Sequence, residues 1–111
     1  YRSDHPAVLR GLSAIVRASK AAGIPVSVCG EMTHHPKQLA FLLGIGIDTF
    51  SVTPSYLPAV QRTLSGLSSA EANAFAERLL QEGSLEGVER VMAAAAFCEL
   101  PDSALSSGTE A

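Results

Sequence analysis

No apolar run in these 111 residues approaches the roughly 20 that a membrane helix requires. Stretches such as Leu39 to Leu43 and Ala93 to Phe97 are far shorter, so nothing here is expected to span a bilayer. Positive charge is also scarce. Eight Lys and Arg stand against eleven Asp and Glu, a formal charge of −3, which leaves no basic field to attract a phosphate backbone or an anionic membrane surface. Nucleic acid and membrane are therefore excluded as expected partners. Cysteine is nearly absent too. Cys29 and Cys98 lie far apart and form no CxxC or Cys/His pattern, which argues against a disulfide framework and a structural zinc site. A reducing, cytoplasmic setting follows as an expectation. The chain starts at Tyr1 rather than Met and reads as a portion of a longer protein, and with no charged leader followed by an apolar stretch and small-residue cleavage site, no secretory peptide is expected.

What is present is enough apolar material for a packed core, 47% of the residues. Pro6, after Asp4 and His5, can open a helix in which Val8, Leu9, Leu12, Ile15 and Val16 recur at three- and four-residue spacing as one buried stripe, with Gly23 as its C-terminal cap. Ile24, Val26 and Val28 alternate with Pro25 and Ser27, which predicts a short strand ending at Cys29 and Gly30. A loop over Glu31 to His35 leads to a second helix from Pro36 to Leu43. Gly44 and Gly46 break it before the apolar run Ile45, Ile47, Phe50 and Val52, the second predicted strand. Another helix signal runs from Tyr56 to Leu64. Helix, strand, helix, strand, helix is βα alternation, the mark of an α/β fold with a parallel sheet. Two further helices follow. Ser68 and Glu71 form a capping box before a helix over Ser69 to Gln81, and Leu85, Val88, Val91, Met92 and Ala95 make the apolar face of a last helix expected to end near Leu100. The small, polar stretch from 101 to 111 reads as a disordered tail.

Cys29 is the side chain that invites a chemical reading, since active sites of parallel α/β proteins gather at the carboxyl ends of strands. The alternative is a buried thiol acting as a small hydrophobe. Gly30 either lets backbone approach a ligand closely or serves the turn alone. Glu31 can orient the loop or cap the helix at Pro36, and is not read as a metal ligand. His34 and His35 could suggest a metal, but sequence neighbours point apart and no third ligand is evident, so an exposed loop pair is expected.

The segment VCGEM from Val28 to Met32, with LGIGIDTFSVTPSYLPAVQRTL from Leu43 to Leu64 and the opening YRSDHPAVLRGL, resembles the end of the barrel domain of Enzyme I. That family comprises the phosphoenolpyruvate-protein phosphotransferases of the bacterial sugar and nitrogen phosphotransferase systems. Pyruvate phosphate dikinase and phosphoenolpyruvate synthase share the Cys-Gly feature but are less similar along the second segment. The resemblance implies the C-terminal portion of a (β/α)8 TIM barrel over 1–66, a helical extension over 67–100 and the tail over 101–111. It implies phosphoenolpyruvate and pyruvate as ligands, a phosphocarrier protein as partner, and Mg2+ in the parent enzyme, held by carboxylates that this chain lacks. Cys29 aligns with the cysteine to which the family assigns protonation of the pyruvate enolate. A thiol suits that task, because with an ordinary pKa of about 8.5 it stays mostly protonated at neutral pH, yet a basic enolate can take its proton.

One departure stands out. Where the family commonly has Ala-Gly-Asp, this chain has Thr33, His34 and His35, which keeps open a non-catalytic regulatory or dimerisation module of the same family. A stand-alone thiol or metal-binding α/β protein is the third reading. A barrel of this kind takes about 250 residues and eight strands. Two predicted strands therefore leave backbone edges that need a partner, and the expected state in solution is a homo-oligomer. Light scattering should give a mass of two or more chains; the mass of one chain would count against it.

Overall fold

The computed structural model describes residues 5–29 and 31–95. Its elements run α1 (Pro6–Ala22), β1 (Ser27–Val28), α2 (Pro36–Gly44), β2 (Thr49–Phe50), α3 (Leu57–Ser65), α4 (Ser69–Gln81) and α5 (Leu85–Ala94), with single 3-10 turns at Glu31–His34 and Pro54–Tyr56. The order is the one the sequence predicts, and the chain is α/β but mostly helical. No helix among the described residues is long and apolar enough to cross a membrane.

Local chemistry explains where the helices start. Pro6 occupies the first turn of α1, where its missing N–H costs nothing, and the His5 ring nitrogen Nδ1 accepts the Ala7 N–H at 3.1 Å. Gly23 closes the helix at φ 70°, a left-handed conformation that glycine adopts without a Cβ penalty, and the Ile24 N–H then reaches back to the Ser19 carbonyl at 2.8 Å. The predicted stripe holds only in part. Leu9 and Val16 are buried and Leu12 packs against the core, but Ile15 is 57% exposed, because α1 contacts the rest of the described chain along a narrower face than its apolar spacing suggests.

α4 begins with the expected capping box: Ser68 Oγ accepts the Glu71 N–H at 3.1 Å, and Glu71 Oε1 accepts the Ser68 N–H at 3.2 Å. Ser84 caps α5 in the same sense, accepting the Gly87 N–H at 3.1 Å. α5 stops earlier than the apolar pattern predicts. Ala95 already has extended dihedrals, φ −73° and ψ 125°, so the helical face ends at Ala94, and the predicted stretch to Leu100 otherwise lies outside the described residues, as does the tail.

The two strands pair in parallel, Ser27 with Thr49 and Val28 with Phe50, and α2 is the crossover between them. Both are shorter than predicted. Ile24 is 60% exposed and lies outside β1, and Pro25 has no N–H to offer a ladder. Ile45 and Ile47 belong to the end of α2 rather than to β2. Their N–H groups return to the carbonyls of Phe41 (3.0 Å) and Leu42 (3.1 Å), with Gly46 between them at φ 107°, so the chain spends these residues capping a helix. Val52 likewise follows the strand.

α2 is the centre of the molecule. Leu39, Ala40, Phe41 and Leu42 are all buried, so this stretch of the helix needs cover on more than one face. α4 supplies the main cover through Ala72, Phe75, Ala76 and Leu79, and Val88 and Val91 of α5 extend the same cluster. The crossing of α2 and α4 is close. A Cβ at Gly44 would overlap the Ala72 carbonyl and lie 2.7 Å from the Ala76 Cβ, so only glycine permits this approach. Arg10 adds a polar tie, its Nη2 donating to the Glu82 carbonyl at 2.8 Å and holding the α4–α5 turn against α1.

Gly44→Ala should therefore destabilise the protein by about 1–3 kcal/mol through overpacking. Gly11→Ala, on a part of α1 where an added Cβ meets nothing, should stabilise it by about 0.5–1 kcal/mol. Urea midpoints at constant slope test the contrast, and equal shifts for the two variants would show that the crossing is not tight.

Candidate functional site

Parallel pairing sends both strands out at the same edge, so the segments after β1 and β2 share one rim. Val28 is the last residue of β1, and its carbonyl accepts the Ser51 N–H at 2.8 Å, extending the ladder to the residue before Cys29. Cys29 follows immediately as an exposed free thiol. The sequence reading placed it at a strand's carboxyl end, and the structure puts it there in the open rather than in apolar packing. Gly30 lies outside the described residues, so its two readings stand as they were.

The next residues are not the plain loop expected from the sequence. Glu31–His34 form a 3-10 turn, in which Met32 and Thr33 are buried and the His35 N–H reaches back to the Met32 carbonyl at 3.5 Å. Thr33 is 1% exposed, and no buried side-chain polar atom among the described residues lacks a hydrogen-bond partner. The turn is thus pinned inward at its middle.

The expectation of an exposed His34–His35 pair needs correction. His35 is exposed and sits at the N-cap of α2 without a side-chain capping bond. His34 is half-buried and stacks on Tyr56, ring centroids 3.8 Å apart and planes 3° from parallel. The two rings diverge in role because consecutive residues of a tight turn face different ways. Beneath the stack, Thr33, Pro36, Leu39, Ala59, Val60 and Thr63 close the wall without a water-sized void. Thr63 satisfies its hydroxyl by donating to the Ala59 carbonyl at 3.1 Å. Tyr56 is the residue that sequence reasoning passed over. It stood only as the first residue of a helix signal, and nothing in spacing reveals a ring partner 22 positions away.

The rim offers a thiol that can give up a proton or attack an electrophile, beside an aromatic pair. Among the described residues no three His, Cys, Asp or Glu converge as a set that could hold a metal ion. A separate cavity of about 410 Å³ lies between α1, the end of α2 and α4, lined by Ser13, Arg17, Lys20, Asn73 and Glu77 among others. None of the rim residues borders it.

Residues 1–69 match the family described as PEP-utilising enzyme, PEP-binding domain. The chain is 33% identical over 88 residues to the phosphoenolpyruvate-protein phosphotransferase of Bacillus subtilis, a match covering 79% of this chain and 15% of the relative. It is 32% identical over 91 residues to the protein of that name from Chlamydia trachomatis, covering 82% of this chain and 16% of the relative. The Escherichia coli protein named phosphoenolpyruvate-dependent phosphotransferase system is 36% identical over 81 residues, 73% of this chain and 11% of its own length. The chain thus spans under a fifth of each of these relatives.

An exposed thiol makes a direct chemical expectation. Iodoacetamide should alkylate Cys29 in the native protein within about tenfold of the rate in urea. Peptide mass spectrometry reads this, and labelling only after unfolding would place the sulfur inside.

Proposed function

Since this chain belongs to the family of the PEP-binding domain of PEP-utilising enzymes, we propose that it is the part of a phosphoenolpyruvate-protein phosphotransferase that supplies the carbon acid, Cys29. The observation that carries the reading is the place of that thiol, exposed and one residue past the carboxyl end of a parallel strand. On this reading β1, α2 and β2 form one βαβ unit of a (β/α)8 barrel whose other strands lie elsewhere in the protein. Phosphoenolpyruvate is the ligand, a phosphocarrier protein receives the phosphoryl group downstream, and the setting is cytoplasmic. Magnesium belongs to the parent site and is held by carboxylates outside this chain.

The chemistry assigned to this chain is one proton transfer. Breaking the phosphorus–oxygen bond of phosphoenolpyruvate passes the phosphoryl group to a histidine outside this chain and leaves pyruvate as its enolate. The Cys29 S–H then gives its proton to the enolate methylene carbon, forming the third C–H bond of the pyruvate methyl group and leaving a thiolate, which regains a proton from water. In the reverse direction the thiolate is the base. The open rim suits this step, because the sulfur must reach both a ligand carbon and solvent. Backbone order up to Val28, secured by the Ser51 N–H, limits where that sulfur can go.

A non-catalytic regulatory or dimerisation module of the same family is the second reading, favoured by Thr33, His34 and His35 in place of Ala-Gly-Asp. One measurement separates the two. In the complete protein, Cys29→Ala should lower pyruvate formation from phosphoenolpyruvate by about 10²- to 10⁴-fold, the contribution of a placed general acid, with the circular dichroism spectrum unchanged. The chain by itself should form no pyruvate. A variant as fast as the wild type would remove Cys29 from the chemistry, and a complete protein without activity would favour the module.

A further inference from the structure

We propose that the His34–Tyr56 stack positions the Cys29 segment, with His34 acting through the face of its ring and not through its nitrogens. The inference rests on the reading above only for the reaction that Cys29 serves; the mechanical claim stands on geometry alone.

The residues from Cys29 to His35 bridge two firm points. On one side the Ser51 N–H holds the Val28 carbonyl at 2.8 Å, and on the other α2 begins at Pro36 with Leu39 buried one turn in. Between these points Glu31–His34 make a single 3-10 turn. Its closing contact from the His35 N–H to the Met32 carbonyl is 3.5 Å, at the long end for such a bond. Burial of Met32 and Thr33 anchors the middle, but both face inward and leave the rim side to be held by something else.

The ring pair fills that role. Tyr56 belongs to the segment leaving β2, immediately ahead of α3, so a stack at 3.8 Å joins the outgoing segment of one strand to that of its neighbour. Together with the Ser51–Val28 hydrogen bond, it gives the two segments a second point of attachment beyond the last ladder bond. Cys29 lies between the two attachments in sequence. Parallel planes at 3° bring whole ring faces into contact, which is what an apolar clamp needs and what proton exchange at a ring nitrogen does not. A flat ring of similar size should therefore serve equally well.

Hydrogen–deuterium exchange and steady-state kinetics on the complete protein test this together. His34→Ala and Tyr56→Ala should each speed amide exchange over residues 31–35 by about two- to tenfold, the range one aromatic pair supplies. The double variant should go no further than either single one, because both remove the same contact, and exchange in α4 should not move. His34→Phe should restore the wild-type exchange rate. For pyruvate formation, kcat should follow the same order with KM changing less. Unchanged exchange in both alanine variants would overturn the proposal, as would a His34→Phe variant whose kcat is as low as that of His34→Ala, since the imidazole would then be needed for itself. If the exchange pattern appears but wild-type protein forms no pyruvate, the clamp stands and the catalytic reading falls.

Discussion

The rest of the structure depends on how closely α4 can approach α2. Four successive residues of α2, Leu39 to Leu42, are buried, so its place is set by whatever covers them. Gly44, Ala72 and Ala76 are small enough for the two backbones to come almost into contact, and that approach seats Phe75 and Leu79 in the same cluster as Phe41 and Leu42. Since α2 is also the crossover of the parallel pair, its position determines where β1 ends and where the 3-10 turn after it begins. A methyl group at Gly44 would push on the whole chain of contacts.

From that core outward, the contacts that hold the rim can be named. The ladder reaches Val28 through the Ser51 N–H, Met32 and Thr33 are drawn inward, and the aromatic pair lies across the outgoing segments. Cys29 occupies the exposed gap in this series. On the proposed reading Cys29 must meet a ligand carbon and also exchange protons with water, so it cannot be packed away, yet it would gain from a backbone held on both sides. The rim satisfies both demands with short-range contacts.

The helix boundaries were legible because they are local. Pro6, Gly23, Pro36 and Ser68 with Glu71 each act on backbone groups within a few residues, so their types and spacing were enough to place α1, α2 and the start of α4, whereas the Ser84 cap of α5 emerged only from the structure. The parallel order of the strands also followed from βα alternation. Their lengths did not. A β-rich run becomes strand only where a neighbour pairs with it, and Ile45 and Ile47 were claimed instead by the end of α2. Likewise the spacing of Ile15 fits an apolar stripe, but burial needs an opposing surface, and none among the described residues covers it.

For the site, the thiol and its place at a strand end could be read from Val28, Cys29 and the glycine after it, since alternation and its interruption are one-dimensional signals. Family membership could be read as well, from segments whose spacing is kept over the first two-thirds of the chain. What the order of residues could not contain was the partner of His34. Ring stacking depends on two segments leaving adjacent strands at one edge, which is a property of the folded backbone rather than of either segment. The linear chain determined the helices, the thiol and the kinship; only packing in three dimensions decided how short the strands are, that Gly44 sits at a crossing, and that a histidine in a turn meets a tyrosine 22 residues away.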